Sequence, residues 1–195
     1  MNPPPTTAHQ TGLEAFKHFR SRQSNERRFR HPTGHPSRPT GFCPCDRAWP
    51  LVLWFYVKSA LLLTALKLPF NGLKLALLRR AGARVGRHVF IATDVWIDPL
   101  FPELLTIEDE VMLGVGSKIS LHIFDQDHFE AGRVVLRKRA LIGGFALIGP
   151  GVEIGEDAVV AGGAVVGRDV PPGRTAIGNP ARIVPLTNPA GTNPA

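Results

Sequence analysis

From position 85 onward the aliphatic residues recur at every sixth place. The clearest run is Ile142, Ile148, Ile154, Val160 and Val166, followed in turn by Gly143, Gly149, Gly155, Ala161 and Gly167. Four places beyond the first four aliphatics stand Ala146, Val152, Ala158 and Ala164. The same step runs through Val85, Ile91 and Ile97, and again through Ile107, Leu113 and Ile119. Neither the 3.6-residue helix period nor the two-residue strand period generates it. A three-sided coil of parallel strands does, with one short strand and one corner per hexad and three hexads per turn. The aliphatic points inward and stacks on its counterpart in the next turn, about 4.8 Å away. The glycine after it is expected to let the chain bend, and the small residue to fit a crowded corner.

Two interruptions break the step. Ile97 to Ile107 spans ten residues and contains Asp98, Pro99, Phe101, Pro102 and Glu103. Ile119 to Leu136 is longer and reads Ser120-Leu121-His122-Ile123-Phe124-Asp125-Gln126-Asp127-His128 near its start. A stacked coil accepts extra residues only as loops projecting from a corner, and such loops carry function.

Upstream the pattern changes twice. Residues 51–69 form an apolar run interrupted by Lys58, with Trp49, Trp54 and Tyr56 at one end and basic residues on both sides. Its length is near the ~20 residues of a membrane span, but the internal lysine fits a helix lying on a membrane surface at least as well. A helix packed on the protein body is the alternative. A second helix is expected over 72–81, capped by Asn71 and stopped by Gly82. Residues 1–49 have no sustained apolar period beyond a short stretch at Leu13, Phe16 and Phe19, and are expected to be a disordered basic tail. The predicted organisation is therefore a tail (1–49), an apolar helical segment (50–82), the β-coil (83–185) and a flexible C-terminal tail (186–195).

Composition narrows the function classes. Among 195 residues there are 20 glycines and 18 prolines, a balance that favours many turns over a helical bundle. Cys43 and Cys45 are the two cysteines, too few for a disulfide framework or a four-cysteine zinc site. The net charge of +7 is concentrated in residues 1–50, which hold eight Lys or Arg against three acids. The remainder is nearly neutral, so nucleic-acid binding is not indicated. No signal peptide is recognisable at the start.

The hexads, together with Arg168-Asp169-Val170-Pro171-Pro172-Gly173 and Gly178-Asn179-Pro180-Ala181-Arg182, resemble the hexapeptide-repeat acyltransferases, in particular the sugar and xenobiotic O-acetyltransferase branch. The resemblance covers about residues 82–185. It implies a mainly β fold, the left-handed parallel β-helix, whose handedness departs from the usual right-handed crossover. It also implies a homotrimer with each active site between two coils, acetyl-CoA as acyl donor, no metal, and a small hydroxyl-bearing acceptor such as a saccharide or glycolipid. Cytoplasmic placement, with a peripheral position on the inner membrane face as the alternative, is expected from acyl-CoA supply and the apolar segment.

In that family the general base is a histidine just after the repeat that precedes such a loop. His122 matches the place, and imidazole suits the task because it titrates near neutrality. His128 is the second candidate, and Asp125 or Asp127 the carboxylate that would orient a histidine. Following the family's motif, Gly144 and Gly162 are expected along the pantetheine arm, Gly167 and Arg168 at the turn near the coenzyme, and Arg182 at its phosphate. Asp94 and Asp98 stand near positions for acceptor contacts, with a corner aspartate bonding its own backbone as the alternative for Asp98. Two other functions fit the same coil: a zinc hydro-lyase of the γ-carbonic anhydrase kind using His88, His122 and His128, and a non-catalytic scaffold.

Overall fold

The computed structural model describes residues 7–21, 24–32 and 49–186. Its order is helix α1 (Thr7–Arg20), strand β1 (Arg28–Pro32), and helices α2 (Trp49–Lys67) and α3 (Asn71–Ala81), followed by a coil of short strands. The first turn holds β2 (Arg84–Val85), β3 (Phe90–Ile91) and β4 (Trp96–Ile97). The second holds β5 (Leu105–Ile107), β6 (Met112–Leu113) and β7 (Lys118–Ile119), and a hairpin of β8 (His122–Phe124) and β9 (His128–Gly132) then leaves the coil. The third turn holds β10 (Val134–Leu136), β11 (Leu141–Ile142) and β12 (Leu147–Ile148). The fourth holds β13 (Glu153–Ile154), β14 (Val159–Val160) and β15 (Val165–Val166), and β16 (Arg174–Ile177) and β17 (Arg182–Pro185) close the coil.

Corresponding strands of successive turns pair in parallel, so the coil has three flat faces. On the first face Val85, Ile107, Leu136 and Ile154 lie in register. On the second, Ile91, Leu113, Ile142, Val160 and Ala176 do. Ile97, Ile119, Ile148 and Val166 make the third. Apart from half-buried Val85, every one of these side chains is buried, and so are Ala146, Val152, Ala158 and Ala164 at the corners. The six-residue step thus builds one continuous core, each aliphatic worth roughly 1.5–3 kcal/mol on full burial.

The turning residue is not the glycine that follows the aliphatic. The chain adopts a left-handed conformation three places beyond it, at His88, Asp94, Glu110, Arg139, Phe145 and Asp157 as well as at Gly116, Gly151, Gly163 and Gly173. Gly143 answers a different need. A Cβ there would stand 2.5 Å from the Gly162 amide nitrogen of the next turn. Glycine at that step permits close stacking of corners rather than a bend.

α3 closes the N-terminal end of the coil. Asn71 Nδ2 donates to the Val89 carbonyl at 2.9 Å, and its Oδ1 accepts from the Ile91 amide at 3.0 Å. The side chain therefore caps the edge strand β3 rather than its own helix, whose N-cap is Phe70 with no side-chain cap bond. Gly82, in a left-handed conformation, ends the helix as expected. Lys74 is buried, and its Nζ donates to the carbonyls of Ile91 at 2.8 Å and Ala92 at 2.7 Å. Burial holds this ammonium below the ordinary lysine range.

Within the tail expected over 1–49 to be mostly disordered, α1 and β1 are ordered elements. Phe16 and Phe19 are buried in the main core. β1 pairs antiparallel with β9, setting Phe29 opposite Ala131 and His31 opposite Phe129. Arg133 donates to the Glu26 carbonyl at 3.0 Å and to the Ser21 carbonyl at 2.9 Å, reaches the Phe19 carbonyl too, and lies over the Phe19 ring. Arg20 bonds Glu103 of the first interruption. The partners of this segment lie about a hundred residues away, which is why its own sequence carries so little signal. Residues 33–48, with Cys43 and Cys45, and 187–195 of the expected C-terminal tail lie outside the described residues.

Candidate active site

Both interruptions leave the coil at the same corner. Asp98 follows β4 on the third face, and Ser120 to His122 follow β7 directly above it, because Trp96 and Ile97 pair with Lys118 and Ile119. The stacking of turns therefore brings together two residues 24 positions apart. Asp98 has no exposed side-chain surface, whereas His122 keeps 16%. Asp98 Oδ2 receives both His122 Nδ1 and, at 3.1 Å, the Leu121 amide, while Oδ1 accepts from the Leu100 amide at 2.9 Å. A carboxylate accepts only, so Nδ1 carries the hydrogen and Nε2 is left as the basic nitrogen.

Aromatic rings hold the imidazole from its sides. Phe101 meets it edge-on at 5.4 Å between centroids, Phe124 at 5.5 Å, and Phe129 is tilted at 6.1 Å. Phe16 of α1 packs edge-on against both Phe101 and Phe129 at 5.2 and 5.1 Å. The N-terminal segment thus buttresses the rings that fix His122. The sequence contained these phenylalanines, but nothing in their spacing signalled that they converge.

Asp98, expected as an acceptor contact, presents no exposed side-chain surface. Its oxygens are taken by His122 and two backbone amides, and the alternative of a corner aspartate bonding its own backbone holds as well. The carboxylate on His122 is Asp98 rather than Asp125. Asp125 sits exposed at the tip of the β8–β9 hairpin, where its carboxylate accepts from the Gln126 amide at 2.7 Å and stands 3.9 Å from His128. His128 Nδ1 lies 2.7 Å from Asp127 and 3.4 Å from Arg30, the latter on β1. The hydrogen bond to His128 keeps the Asp127 carboxyl below its ordinary range. Among the described residues no three His, Cys, Asp or Glu side chains form a group able to hold a metal. His88 occupies a left-handed corner position of the first turn, between the first and second faces.

The expected coenzyme residues fall into two sets. Gly167, Arg168 and Arg182 line one open cleft together with Gly178, Asn179 and Pro180. Gly167 and Arg168 follow β15 and so lie on the same corner as His122, two turns further along. Gly144 and Gly162 lie instead on the corner between the second and third faces, one above the other, where the Gly163 amide donates to the Gly144 carbonyl at 2.9 Å. Asp94 is on that second corner too, exposed and in a left-handed conformation. Within one chain the second set does not reach His122's corner.

The segment leading into β1 runs along the corner of His122. Arg27 donates to the Gly151 carbonyl at 3.0 Å and to Asp169 at 2.5 Å, and Arg28 to the Gly167 carbonyl at 3.3 Å. Burial pushes the Asp169 carboxyl up, but the hydrogen bond and charge of Arg27 outweigh it and hold the group below its ordinary range.

Comparison with known proteins agrees with this geometry. The profile described as "Bacterial transferase hexapeptide (six repeats)" matches residues 133–168. "Putative acetyltransferase YvoF" of Bacillus subtilis is 35% identical over 117 residues, covering 60% of this chain and 68% of that protein. Other curated relatives, from Staphylococcus aureus, are matched over about a third of their length. The Vibrio cholerae hexapeptide-repeat acetyltransferase solved with acetyl coenzyme A is 25% identical, with a TM-score of 0.57 over 68% of this chain and 87% of that one. The maltose O-acetyltransferase of Clostridium difficile shares the fold, with a TM-score of 0.52 at 23% identity over 68% of this chain and 84% of that one. The chain belongs to the hexapeptide-repeat acetyltransferases, and its coil is their left-handed parallel β-helix.

Proposed function

We propose that the protein transfers the acetyl group of acetyl-CoA to a hydroxyl of a saccharide or glycolipid, with His122 as general base. The observation that carries this reading is the pairing of His122 with a carboxylate that has no exposed side-chain surface, at the corner where the coil is interrupted. Asp98 holds Nδ1–H, which fixes the ring and directs the lone pair of Nε2 outward. Nε2 removes the acceptor's hydroxyl proton as the oxygen attacks the thioester carbonyl. The tetrahedral oxyanion is stabilised by a backbone N–H. It collapses by breaking the carbon–sulfur bond, and the proton on Nε2 passes to the departing thiolate. Acetyl ester and CoA are the products, and no covalent enzyme intermediate forms.

Arg168 and Arg182 suit the coenzyme's phosphates, which charge-assisted hydrogen bonds favour. Gly144 and Gly162 present backbone close to the surface, as a pantetheine arm requires. Their place on the other corner supports a shared site, in which His122 of one copy faces a coenzyme held partly by a neighbour, and Asp94 meets the acceptor there. A column of outward apolar side chains on the second face, Phe90, Met112 and Leu141, with Phe145 72% exposed at the adjoining corner, supports the trimer that such sharing needs. Trp96 on the third face adds to it.

The test is CoA-thiol release from acetyl-CoA against a panel of hydroxyl-bearing saccharides and glycolipids. Release that depends on the acceptor supports the reading. Absence of release with every acceptor, alongside stoichiometric zinc in the purified protein, would replace it with the hydro-lyase.

A further inference from the structure

α2 is apolar nearly all round, yet the coil covers only one side of it. Ser59, Leu62, Ala65 and Leu66 face the body and are buried. The opposite side carries Leu53, Tyr56, Val57 and Leu61, with Leu61 61% exposed, and Leu68 just past the helix end is exposed too. This stripe continues onto Phe70, 64% exposed, and Leu73 at the start of α3. A groove between the two helices, lined by Val57, Leu61, Leu77 and Arg80, deepens it. A soluble monomer rarely leaves an apolar face of this extent uncovered.

The charge around the face is of one sign. On α2 and α3, Lys67, Arg79 and Arg80 are exposed and Lys58 is half-buried, Lys74 is turned into the body, and neither helix carries a carboxylate. Along the whole described stretch from Trp49 to Thr93 there are seven Lys or Arg and no Asp or Glu. A second copy of the same face packed against it would set cation against cation. An apolar stripe rimmed by cations is complementary to an anionic lipid surface, where the stripe enters the acyl boundary and the cations meet headgroups. Spanning is not an option for α2, because one side is packed on the coil. Among the described residues, moreover, no helix is long and apolar enough to cross a membrane.

We propose that the α2–α3 hairpin docks the protein on an anionic lipid bilayer, with α2 lying in the plane of the interface. Such docking presents the first turn of the coil toward the membrane. The proposal stands on this face alone and is read without any acetyl transfer.

The test is co-sedimentation of the full chain with vesicles of neutral phosphatidylcholine and with vesicles that also contain phosphatidylglycerol. Binding is expected to the anionic vesicles, to fall as salt is raised, and to drop about tenfold or more in Leu61→Asp and in Arg80→Glu. Tyr56→Ser provides a milder second variant, and thermal melting confirms that each is folded. Three results would overturn the proposal. They are no binding to anionic vesicles, equal binding to neutral ones, and binding that survives all three substitutions. A change of oligomeric state in Leu61→Asp with no change in vesicle binding would assign the face to another copy of this chain instead.

Discussion

Asp98 and His122 meet because the turns of the coil stack, with the carboxylate one turn below the imidazole and buried beneath it. Asp98→Asn keeps the shape but can present an amide N–H to Nδ1, which favours the wrong tautomer. In a serine protease triad the corresponding change lowers kcat about 10⁴-fold. For Asp98→Asn the expected loss is about 10²–10⁴ in kcat, with KM for acetyl-CoA little changed. Steady-state kinetics check it, and Asp98→Glu should not restore the rate because the longer side chain displaces the ring.

Two glycines that each follow an inward aliphatic, on different faces of the coil, should respond differently. A Cβ on Gly143 meets the backbone of the next turn at 2.5 Å, whereas one on Gly167 meets nothing within 4 Å. Gly143→Ala should destabilise by about 1–3 kcal/mol, as overpacking does, and Gly167→Ala should stay within about 0.5 kcal/mol of the parent. Denaturant unfolding of the two variants makes the comparison.

The six-residue step made the coil legible from sequence because every hexad repeats the same local demand. The corner that carries His122 was legible as well, since the step fails there. Asp98's role was not, because it depends on which residue lies one turn away, and that follows from register rather than from local spacing. The N-terminal segment was hidden for a similar reason. Arg28–Pro32 alternates with one apolar residue, Phe29, and becomes a strand only because β9 offers its edge. The glycines at the step were legible as a signal but not as a cause, since six non-glycine residues take the left-handed corner positions.

Phe16 is the test of that hidden segment. It contacts Phe101 and Phe129, which in turn contact His122. Phe16→Ala should cost about 3–5 kcal/mol in the packing of α1. Limited proteolysis should then cut within residues 7–32 faster, while the coil resists. Catalytic rate should fall as the aromatic support of His122 loosens.

Lys74 should behave as the fastening of the helical cap. Lys74→Met fills the same space but leaves the Ile91 and Ala92 carbonyls without their charged donor, a loss of about 2–4 kcal/mol. The sign with pH is also defined. The folded-state lysine titrates below its unfolded counterpart, so folding is penalised at and below the folded value. That penalty is relieved as pH rises from the folded toward the unfolded value. The stability gap between parent and Lys74→Met should therefore widen on the alkaline side, read by melting temperature over that window.

The most direct measurement is the acetyl-transfer rate of His122→Ala beside the parent, at saturating acetyl-CoA and acceptor, with matched circular dichroism and oligomeric state. A general base at this position predicts a fall of about 10²–10⁴ in kcat. A rate equal to the parent's would remove His122 from the chemistry and contradict the account.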